Sequence, residues 1–237
     1  MAGADEAGRG SLAGPLVAAG VLIDVERIGL SERRALAWLD DSKQKSIEER
    51  EELYPAVVRA AACVSVAVRS VRAIDTRGLH VSNLGALTDC MHKLAPRDAV
   101  CLVDGFRLPE CRIKHVPVVD GDARSAAIAA ASVIAKVTRD RYMHRAAELY
   151  PGWNFEDNVG YSTPEHREAI LARGITPLHR RSFASVAYSQ LDLDSDAEFG
   201  DGIDEVGLEG VADVIDIRTA IAAEADPDDV EAIARDA

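Results

Sequence analysis

Aromatic residues and long apolar runs are both scarce in this chain of 237 residues. Phe, Trp and Tyr together make up 5% of it, so a core must be built mainly from Ala, Val, Leu and Ile. The longest uninterrupted apolar run, Leu12 to Ile23, contains a proline and two glycines. It falls short of the roughly 20 residues that a membrane-spanning helix needs. Asp5 and Glu6 stand where a secretory signal would carry basic residues. We therefore expect a soluble cytoplasmic protein without a membrane partner.

Clusters of cysteine and histidine are also missing. The cysteines are Cys63, Cys90, Cys101 and Cys111, and no two of them form a Cys-x-x-Cys pair. The six histidines form no His-Glu-x-x-His pattern. These absences argue against a zinc centre and against a dithiol motif, and they predict reduced thiols packed in the core.

Acidic charge is concentrated at one end of the chain. The net charge is −13, but residues 191–237, the acidic tail, hold 16 acidic and two basic residues and so carry −14. Residues 1–190 carry +1. The low isoelectric point therefore describes the tail and does not exclude a nucleic-acid partner for the body. We predict one folded domain over residues 1–190, followed by an acidic tail that is weakly ordered or peripheral.

Within residues 1–190, patterns typical of strands alternate with patterns typical of helices. Strands are predicted at 16–23, 62–71, 99–103 and 114–119, and helices at 48–61, 82–94, 126–145 and 163–174. Ser46 with Glu49 predicts a capped start for the first of these helices, and Thr163 with Pro164 predicts the start of the last. The alternation predicts an α/β domain with a central, partly parallel sheet.

The helix that begins at Ala126 is the most apolar of the set. From Ala126 to Ala135 only Ser132 is polar. A helix that is apolar on all sides is buried, and its small side chains would let it lie close against a sheet.

Carboxylates fall where predicted strands end. Asp104 directly follows Cys-Leu-Val, Asp122 follows Val-Val-Asp-Gly, and Asp5 and Glu6 precede a glycine-rich turn. Side chains at strand ends project into the crevice at the edge of an open α/β sheet, where ligands bind. Converging carboxylates repel one another unless a hard divalent cation lies between them, and Mg²⁺ or Mn²⁺ prefers such oxygen ligands. The pattern predicts a magnesium-type site with two metal ions and a phosphoryl substrate.

An ordinary turn is the alternative interpretation of each Asp-Gly pair. Two such pairs together with Asp-Glu-x-Gly favour the metal site. Asp5 and Glu6 are adjacent, however, and adjacent residues of a strand face opposite sides of the sheet. Both can reach one site only if the strand departs locally from regular geometry.

A series of sequence blocks is similar to a known family. The blocks are DEAGRG at 5–10, LAGP at 12–15, DSK at 41–43, LVDG at 102–105, GDARS at 121–125, AAASVIAKVTRDR at 129–141, YPGW at 150–153, GYSTPEH at 160–166 and HRRSF at 179–183. In their order and spacing the chain resembles ribonuclease HII, a family of prokaryotic endonucleases, over residues 3–187. The resemblance implies a ribonuclease H-like fold: a central mixed sheet flanked by helices, with a small C-terminal helical part from about residue 145.

The resemblance also implies roles for individual residues. It places an acidic, metal-binding catalytic quartet at Asp5, Glu6, Asp104 and Asp122, with Mn²⁺ or Mg²⁺ as the cofactor. It places the substrate-binding residues at Gly8, Arg9, Gly10, Lys43 and Tyr161.

Each of these substrate-binding residues has an implied task. Backbone groups of the Gly8-Arg9-Gly10 turn would sense the ribose 2′-hydroxyl, and Tyr161 would stack on the neighbouring deoxyribose. Lys43 would contact a phosphate. Lys136 and Arg139 either help to bind the nucleic-acid backbone or form a merely solvated helix face.

The chain departs from the family pattern at two places. Ser11 stands where the family commonly has proline, which looks like a harmless change in the turn. Only four residues precede Asp5, where the family usually has a longer apolar strand. Either the start lies upstream or the first strand is short and weakly anchored.

The resemblance implies a metal-dependent endonuclease that cuts the RNA strand of RNA–DNA hybrids and single ribonucleotides embedded in duplex DNA. Cleavage would fall 5′ of the ribonucleotide and leave 3′-hydroxyl and 5′-phosphate ends. We expect a monomer, and the sequence does not identify a protein partner for the acidic tail. The alternatives are the sister enzyme ribonuclease HIII, a catalytically silent nucleic-acid-binding module, and a protein whose main function is docking through the tail.

Overall fold

The computed structural model describes residues 1–37, 39, 46–94, 98–184 and 186, which form five strands and seven α-helices. The strands are β1 (Ala2–Ala7), β2 (Leu16–Leu22), β3 (Cys63–Arg69), β4 (Cys101–Asp104) and β5 (Val116–Val118). The helices are α1 (Leu30–Ala37), α2 (Ile47–Ala60), α3 (Val71–Arg77), α4 (Leu79–Leu94), α5 (Ala126–Leu149), α6 (Phe155–Asn158) and α7 (Pro164–Arg173). A 3₁₀ turn covers Gly121–Ala123.

The sheet is mixed, with the strand order β3-β2-β1-β4-β5. β1 pairs with β2 and β2 with β3 in antiparallel register, whereas β1 pairs with β4 and β4 with β5 in parallel register. The prediction of an α/β fold with a partly parallel sheet is confirmed. β1 is the central strand and is paired on both sides, and the Met1 ammonium donates a hydrogen bond to the Ile23 carbonyl at 2.8 Å. β1 is therefore anchored by strand pairing on both sides, whereas the short stretch before Asp5 suggested weak anchoring.

The two faces of the sheet bury different residues because side chains alternate along a strand. Val17, Ala19 and Val21 pack with α5 in one core cluster, whereas Ala4 and Ala18 pack with α4 in another. α5 lies so close to β1 that a Cβ atom on Gly3 would overlap the backbone of Ala127. The prediction that this helix is buried against the sheet is confirmed.

Most predicted helix ends are confirmed by their caps. The Ser46 side chain accepts a hydrogen bond from the Glu49 amide in a complete capping box, and the Thr163 side chain caps α7, which ends before Gly174. The structure differs at α4, which begins at Leu79 rather than at Ser82, and it contains α1 and α3, which were not predicted. Both are short, at eight and seven residues, so neither presents a long apolar stripe.

α6 and α7 form the small C-terminal helical part. α6 packs on the end of α5 in a core cluster that contains Met143, Phe155, Val159 and Ala13 of the turn after β1, and Ile170 of α7 packs with Leu12 of the same turn. Among the described helices none is long and apolar enough to cross a membrane. The predicted domain boundary at residue 190, the acidic tail and Lys43 lie outside the described residues.

The cysteines are free, as predicted. Cys90 and Cys101 are buried, whereas Cys63 and Cys111 are only half-buried, so the core position holds for two of the four.

Candidate active site

The register of the two central parallel strands brings Asp5 and Asp104 together. Ala4 is paired with Val103, so Asp5 and Asp104 are the next residues along neighbouring strands. Both lie on the face of the sheet that carries α5, because Ala4 and Val103 belong to the core cluster on the opposite face. Asp5 is 5% exposed and Asp104 is half-buried. The predicted convergence at the carboxyl ends of the strands is therefore present for this pair.

Asp122 reaches the same edge of the sheet through the turn after β5. The Gly121 amide donates a 2.7 Å hydrogen bond to Oδ1 of Asp104, which ties this turn to the end of β4. A Cβ atom on Gly121 would lie 2.5 Å from Cδ1 of Ile128 and 3.0 Å from Oδ1 of Asp104, so a larger residue there would displace the Ile128 side chain and crowd Asp104. Asp122 itself is buried, and its Oδ1 accepts a hydrogen bond from the Ala123 amide at 3.1 Å.

Glu6 follows Asp5 without a break in the strand. β1 remains regular through Ala7, so the expected local departure from strand geometry is absent and the two side chains leave opposite faces. The Glu6 amide donates a 2.8 Å hydrogen bond to Oδ1 of Asp5. The charge of Glu6 nevertheless acts on Asp5 and contributes to raising its pKa.

Burial, together with the charges of Glu6 and Asp104, raises the pKa of Asp5 to about 7. A hydrogen bond from Ser132 opposes these effects. Ser132 is the one polar side chain in the apolar stretch of α5, and sequence reasoning did not give it a role. Its isolation among alanines was the signal that could have found it.

The donor chemistry of this edge fits a hard divalent cation. The four acidic candidates offer only carboxylate oxygens, which Mg²⁺ and Mn²⁺ prefer. Within the part of the chain that the structure describes, no three His, Cys, Asp or Glu side chains already stand in a metal-ligand arrangement. A cation that binds here must therefore draw the carboxylates closer to one another.

Lys136 lies beside the acidic residues rather than on a solvated face. It is half-buried, and burial, with the nearby charge of Arg50, lowers its pKa. The charges of Asp140, Asp5 and Asp122 act on it in the opposite direction. A cation in this position faces any phosphate that approaches the site.

Arg139 is completely buried, so it neither contacts the nucleic-acid backbone nor forms part of a solvated helix face. Its guanidinium donates hydrogen bonds to the carbonyls of Pro15 at 3.1 Å, Val159 at 2.8 Å and Ala13 at 3.0 Å. It also donates to the Ser11 hydroxyl at 2.8 Å, and that hydroxyl donates to the Gly8 carbonyl at 2.9 Å. The serine at position 11 is therefore part of the support under the turn.

Arg180, from the HRRSF block, supports the same turn. It is also fully buried and donates to the Gly14 carbonyl at 3.0 and 2.9 Å and to the Arg9 carbonyl at 3.1 Å. Burial and the nearby charge of Arg139 lower its pKa to about 9. Sequence reasoning quoted the block and gave this arginine no role.

The two glycines of the turn differ in how strictly the structure requires glycine. Gly8 has φ +82° and lies against Arg139, so a side chain there is excluded by both conformation and space. Gly10 is exposed, and a Cβ atom there would meet nothing within 4 Å. Between them, the Arg9 guanidinium stacks on Phe106 at 4.4 Å, a contact that the sequence did not suggest. The Gly10 backbone is thus open to a ligand, whereas Gly8 is a structural requirement.

Tyr161 stands across from this turn with its side chain partly open. The residue is 38% exposed, and the Arg139 guanidinium lies 5.1 Å from the centre of its ring. The carbonyl of the preceding Gly160 accepts hydrogen bonds from the amides of Leu12 at 2.8 Å and Ala13 at 3.2 Å. The Tyr161 turn and the glycine-rich turn are thus joined backbone to backbone.

Structures with the same fold define the class of this protein, which is that of nucleases with a ribonuclease H-like fold. Ribonuclease H2 from Pyrococcus horikoshii superposes with a TM-score of 0.70 at 25% identity, over 82% of this chain and 99% of the other. Ribonuclease HII in its PCNA complex from Archaeoglobus fulgidus gives a TM-score of 0.64 at 28% identity, over 76% and 92%. A ribonuclease HIII bound to Mn²⁺ shares the fold with a TM-score of 0.62 at 21% identity, over 82% and 70%.

The sequence comparisons are more specific. The model of the ribonuclease HII family matches residues 2–186. Ribonuclease HII of Mycobacterium tuberculosis is 44% identical over 186 residues, which are 78% of this chain and 69% of that protein. The Geobacillus kaustophilus enzyme is also 44% identical, over 78% and 68%. The chain therefore belongs to the ribonuclease HII family. It is a metal-dependent endoribonuclease of the ribonuclease H type, which acts on RNA–DNA hybrids.

Proposed function

We propose that this enzyme also cleaves duplex DNA on the 5′ side of a single embedded ribonucleotide, leaving 3′-hydroxyl and 5′-phosphate ends. The observation that carries the proposal is that β1 runs directly from Asp5 and Glu6 into the open turn at Gly10. The group that reads the sugar and the groups that cut next to it thus lie within a few residues of one another, in β1 and in the turn that follows it. Such closeness is what cleavage at one defined bond requires.

Asp5, Glu6, Asp104 and Asp122 are proposed to hold two divalent ions, Mn²⁺ or Mg²⁺. Glu6 leaves the opposite face of β1 from Asp5, so its side chain would have to turn towards Asp5 when the ions bind. Three of these carboxylates are supported by the raised pKa of Asp5 and by the Asp104–Gly121 hydrogen bond. Asp122 is supported by its place in the tethered turn. When bound, the ions supply an activated water and stabilise the charge on the leaving oxygen. These four carboxylates form the acidic edge of the sheet. Lys136 would hold the substrate phosphate against this edge, because its side chain already interacts with the charges of Asp5 and Asp122.

Recognition of the ribonucleotide is proposed to divide between the two turns. The 2′-hydroxyl can donate and accept a hydrogen bond, and the exposed backbone of Gly10, next to the half-buried Arg9, offers both kinds of group. Gly10 lets a sugar approach that backbone closely. The Tyr161 ring supplies a flat face for the next, 2′-deoxy sugar, where a hydroxyl would clash. Lys43 is proposed to contact a phosphate.

Digestion of a duplex that contains one ribonucleotide tests the proposal. With Mg²⁺ or Mn²⁺ we expect a single cut 5′ of the ribonucleotide, and in EDTA we expect none. An all-DNA duplex of the same sequence is the matched substrate control. Cleavage on the 3′ side, or cleavage that persists in EDTA, would contradict the proposal, and a catalytically silent binding module would cut none of the substrates.

A further inference from the structure

Two histidines lie buried beneath the Tyr161 turn and take no part in the site described above. His166, in the first turn of α7, is 0% exposed, and His179, in the segment after α7, is 1% exposed. Their Nε2 atoms are 3.1 Å apart, and both rings pack around the buried Phe155 ring, with centroids 5.4 and 5.8 Å away. Buried imidazoles at this distance must share one proton between the two facing nitrogens.

The backbone at each end of the pair fixes where the protons are. The Thr176 amide donates to Nδ1 of His179 at 2.9 Å, and the Thr176 hydroxyl, which can also donate, lies 2.9 Å from the same nitrogen. Because an amide N–H can only donate, this nitrogen is an acceptor and the proton of His179 is on Nε2. His179 therefore donates from Nε2 to Nε2 of His166. His166 then carries its proton on Nδ1, which lies 2.8 Å from the Tyr161 carbonyl and donates to it.

This chain of hydrogen bonds, the histidine relay, runs in one direction only: from the Thr176 amide through His179 and His166 to the Tyr161 carbonyl. Both of its ends are backbone groups whose donor or acceptor character cannot change. An additional proton on either ring would place two hydrogens against each other. Both histidines are accordingly held neutral, and burial lowers the pKa of each.

The turn that ends at Tyr161 needs such support because its backbone is in an unfavourable region. Val159 has φ +40° and Gly160 has φ +83°. A positive φ is costly for a β-branched residue, and glycine imposes no conformation of its own. Among the described residues, the Tyr161 carbonyl accepts hydrogen bonds from the Thr163 amide at 2.9 Å and from His166. The bond from His166 is the one that comes from outside the turn's own backbone.

We infer that His166, oriented by His179, is a positioning residue that sets Tyr161 for reading the deoxyribose next to an embedded ribonucleotide. The inference rests on the role proposed for Tyr161. It adds the group that holds this tyrosine in place and the reason why that group must be a neutral imidazole with its proton on Nδ1.

A matched pair of variants at position 166 tests the inference. In His166→Asn the side-chain amide can stand where Nδ1 stands and still donate to the Tyr161 carbonyl. In His166→Gln the amide stands near the position of Nε2, and that donor is lost. The measurement is kcat/KM on a duplex with one ribonucleotide, divided by kcat/KM on a continuous RNA–DNA hybrid, with Tyr161→Ala as the reference.

We expect His166→Gln to lower this ratio about tenfold, the effect of one lost hydrogen bond, and His166→Asn to keep it within about twofold. Equal losses on both substrates in both variants would mean that His166 only supports the fold and would overturn the inference. If Tyr161→Ala lowers the ratio and His166→Gln does not, the inference alone fails. If Tyr161→Ala leaves the ratio unchanged, the proposed role of Tyr161 fails and the inference fails with it.

Nitrogen-15 NMR of the imidazoles gives a readout that needs neither a variant nor a substrate. At neutral pH we expect His166 to be the Nδ1–H tautomer and His179 the Nε2–H tautomer, with a hydrogen bond between the two rings. The opposite tautomer at either histidine, or a protonated ring at pH 7, would overturn the relay.

Discussion

The acidic edge of the sheet and the two turns that face it are built on opposite principles. At the acidic edge, burial and the like charges of Glu6 and Asp104 raise the pKa of Asp5 to about 7. In the two turns, Arg139, Arg180 and the histidine relay direct each of their described hydrogen bonds to another group of the protein itself. The carboxylates of the acidic edge need a cation from solution to balance their charge, whereas the described hydrogen bonds of the turns are made within the protein before any ligand binds.

Under the proposed function, this difference would let one enzyme combine metal binding at the acidic edge with recognition of a single sugar at the turns. A carboxylate cluster gains stability only when a cation arrives, so its geometry adapts to the ion. A sugar-reading surface loses selectivity if it adapts, because a deoxyribose lacks only one hydroxyl. Rigidity is therefore concentrated under the turns, where the buried arginines hold the carbonyls of Gly14 and Val159.

Removal of one charge at the acidic edge should have the largest effect. Asp104→Asn keeps an oxygen that can accept from the Gly121 amide but removes a proposed metal ligand charge. We expect kcat/KM on a hybrid to fall about 10³-fold, because metal-assisted charge stabilisation is worth several kcal/mol. In EDTA the same variant should unfold at a higher urea concentration than the wild type, because the charge repulsion between residue 104 and Asp5 is removed.

The matched control for this variant is Glu52→Gln, which removes a charge from an exposed position of α2. It should change neither quantity. Wild-type turnover by Asp104→Asn would contradict the acidic site, and a loss of stability in EDTA would contradict the contrast between the two regions.

Acid should act on the turns through the histidine relay. The pKa of His179 is lowered to about 4 in the folded protein, against about 6.5 for an unfolded chain. The folded state therefore binds fewer protons between these values, so its stabilisation is fully present above pH 6.5 and is lost as the pH falls towards 4. For this one group we expect a loss on the order of 3 kcal/mol in the free energy of unfolding.

Urea titrations in EDTA at pH 7.5, 5.5 and 4.5 measure this loss. His179→Asn cannot take up the proton and can still accept from the Thr176 amide, so its stability should fall less over the same range. Parallel losses in the two proteins would show that other groups are responsible.

A substitution at Tyr161 should separate the two substrates. Tyr161→Ala removes the exposed ring, and we expect about tenfold more loss of kcat/KM on a single embedded ribonucleotide than on a continuous hybrid. Tyr161→Phe keeps the flat face and should behave like the wild type. Equal losses on both substrates would place junction reading elsewhere.

The smallest expected effect concerns the acidic tail. Its charge of −14 should repel phosphates at low ionic strength, where the Debye length is about 30 Å at 0.01 M salt. Deletion of residues 191–237 should leave turnover intact and tighten duplex binding a few-fold at low salt, but not at high salt. A tail of the same length with Asn and Gln in place of its acidic residues is the control and should match the deletion. An inactive or insoluble deletion would place the domain boundary elsewhere.

The sequence predicted the acidic edge better than the turns, for a physical reason. Strand ends are visible as apolar runs that stop at Asp-Gly, so the convergence of Asp5 and Asp104 follows from local patterns and a parallel sheet. The supports of the turns join residues that are far apart in the chain, such as Arg139 with Pro15 and Arg180 with Gly14. No local sequence pattern indicates such a contact, and the residue type alone does not distinguish a buried arginine from a solvated one.

The family resemblance supplied part of what local patterns could not. It pointed to the Gly8-Arg9-Gly10 turn and to Tyr161, because the family motifs contain them. It gave no role to His166 and His179, although both lie within quoted blocks. Their function depends on hydrogen-bond direction, which appears only when the neighbouring backbone groups are known.

The central position of β1 has a consequence for the newly made chain. β1 is synthesised first, and its antiparallel partners β2 and β3 follow within the first 69 residues. Its parallel partner β4 comes only at Cys101, and the arginine that anchors the glycine-rich turn comes at residue 180. Because synthesis proceeds from the N-terminus, Asp5 gains Asp104 and Asp122 only after β4 and the turn that follows β5 have been made, and the glycine-rich turn gains Arg180 later still. A product of translation interrupted before residue 180 lacks this buried arginine, so we expect it to have no nuclease activity.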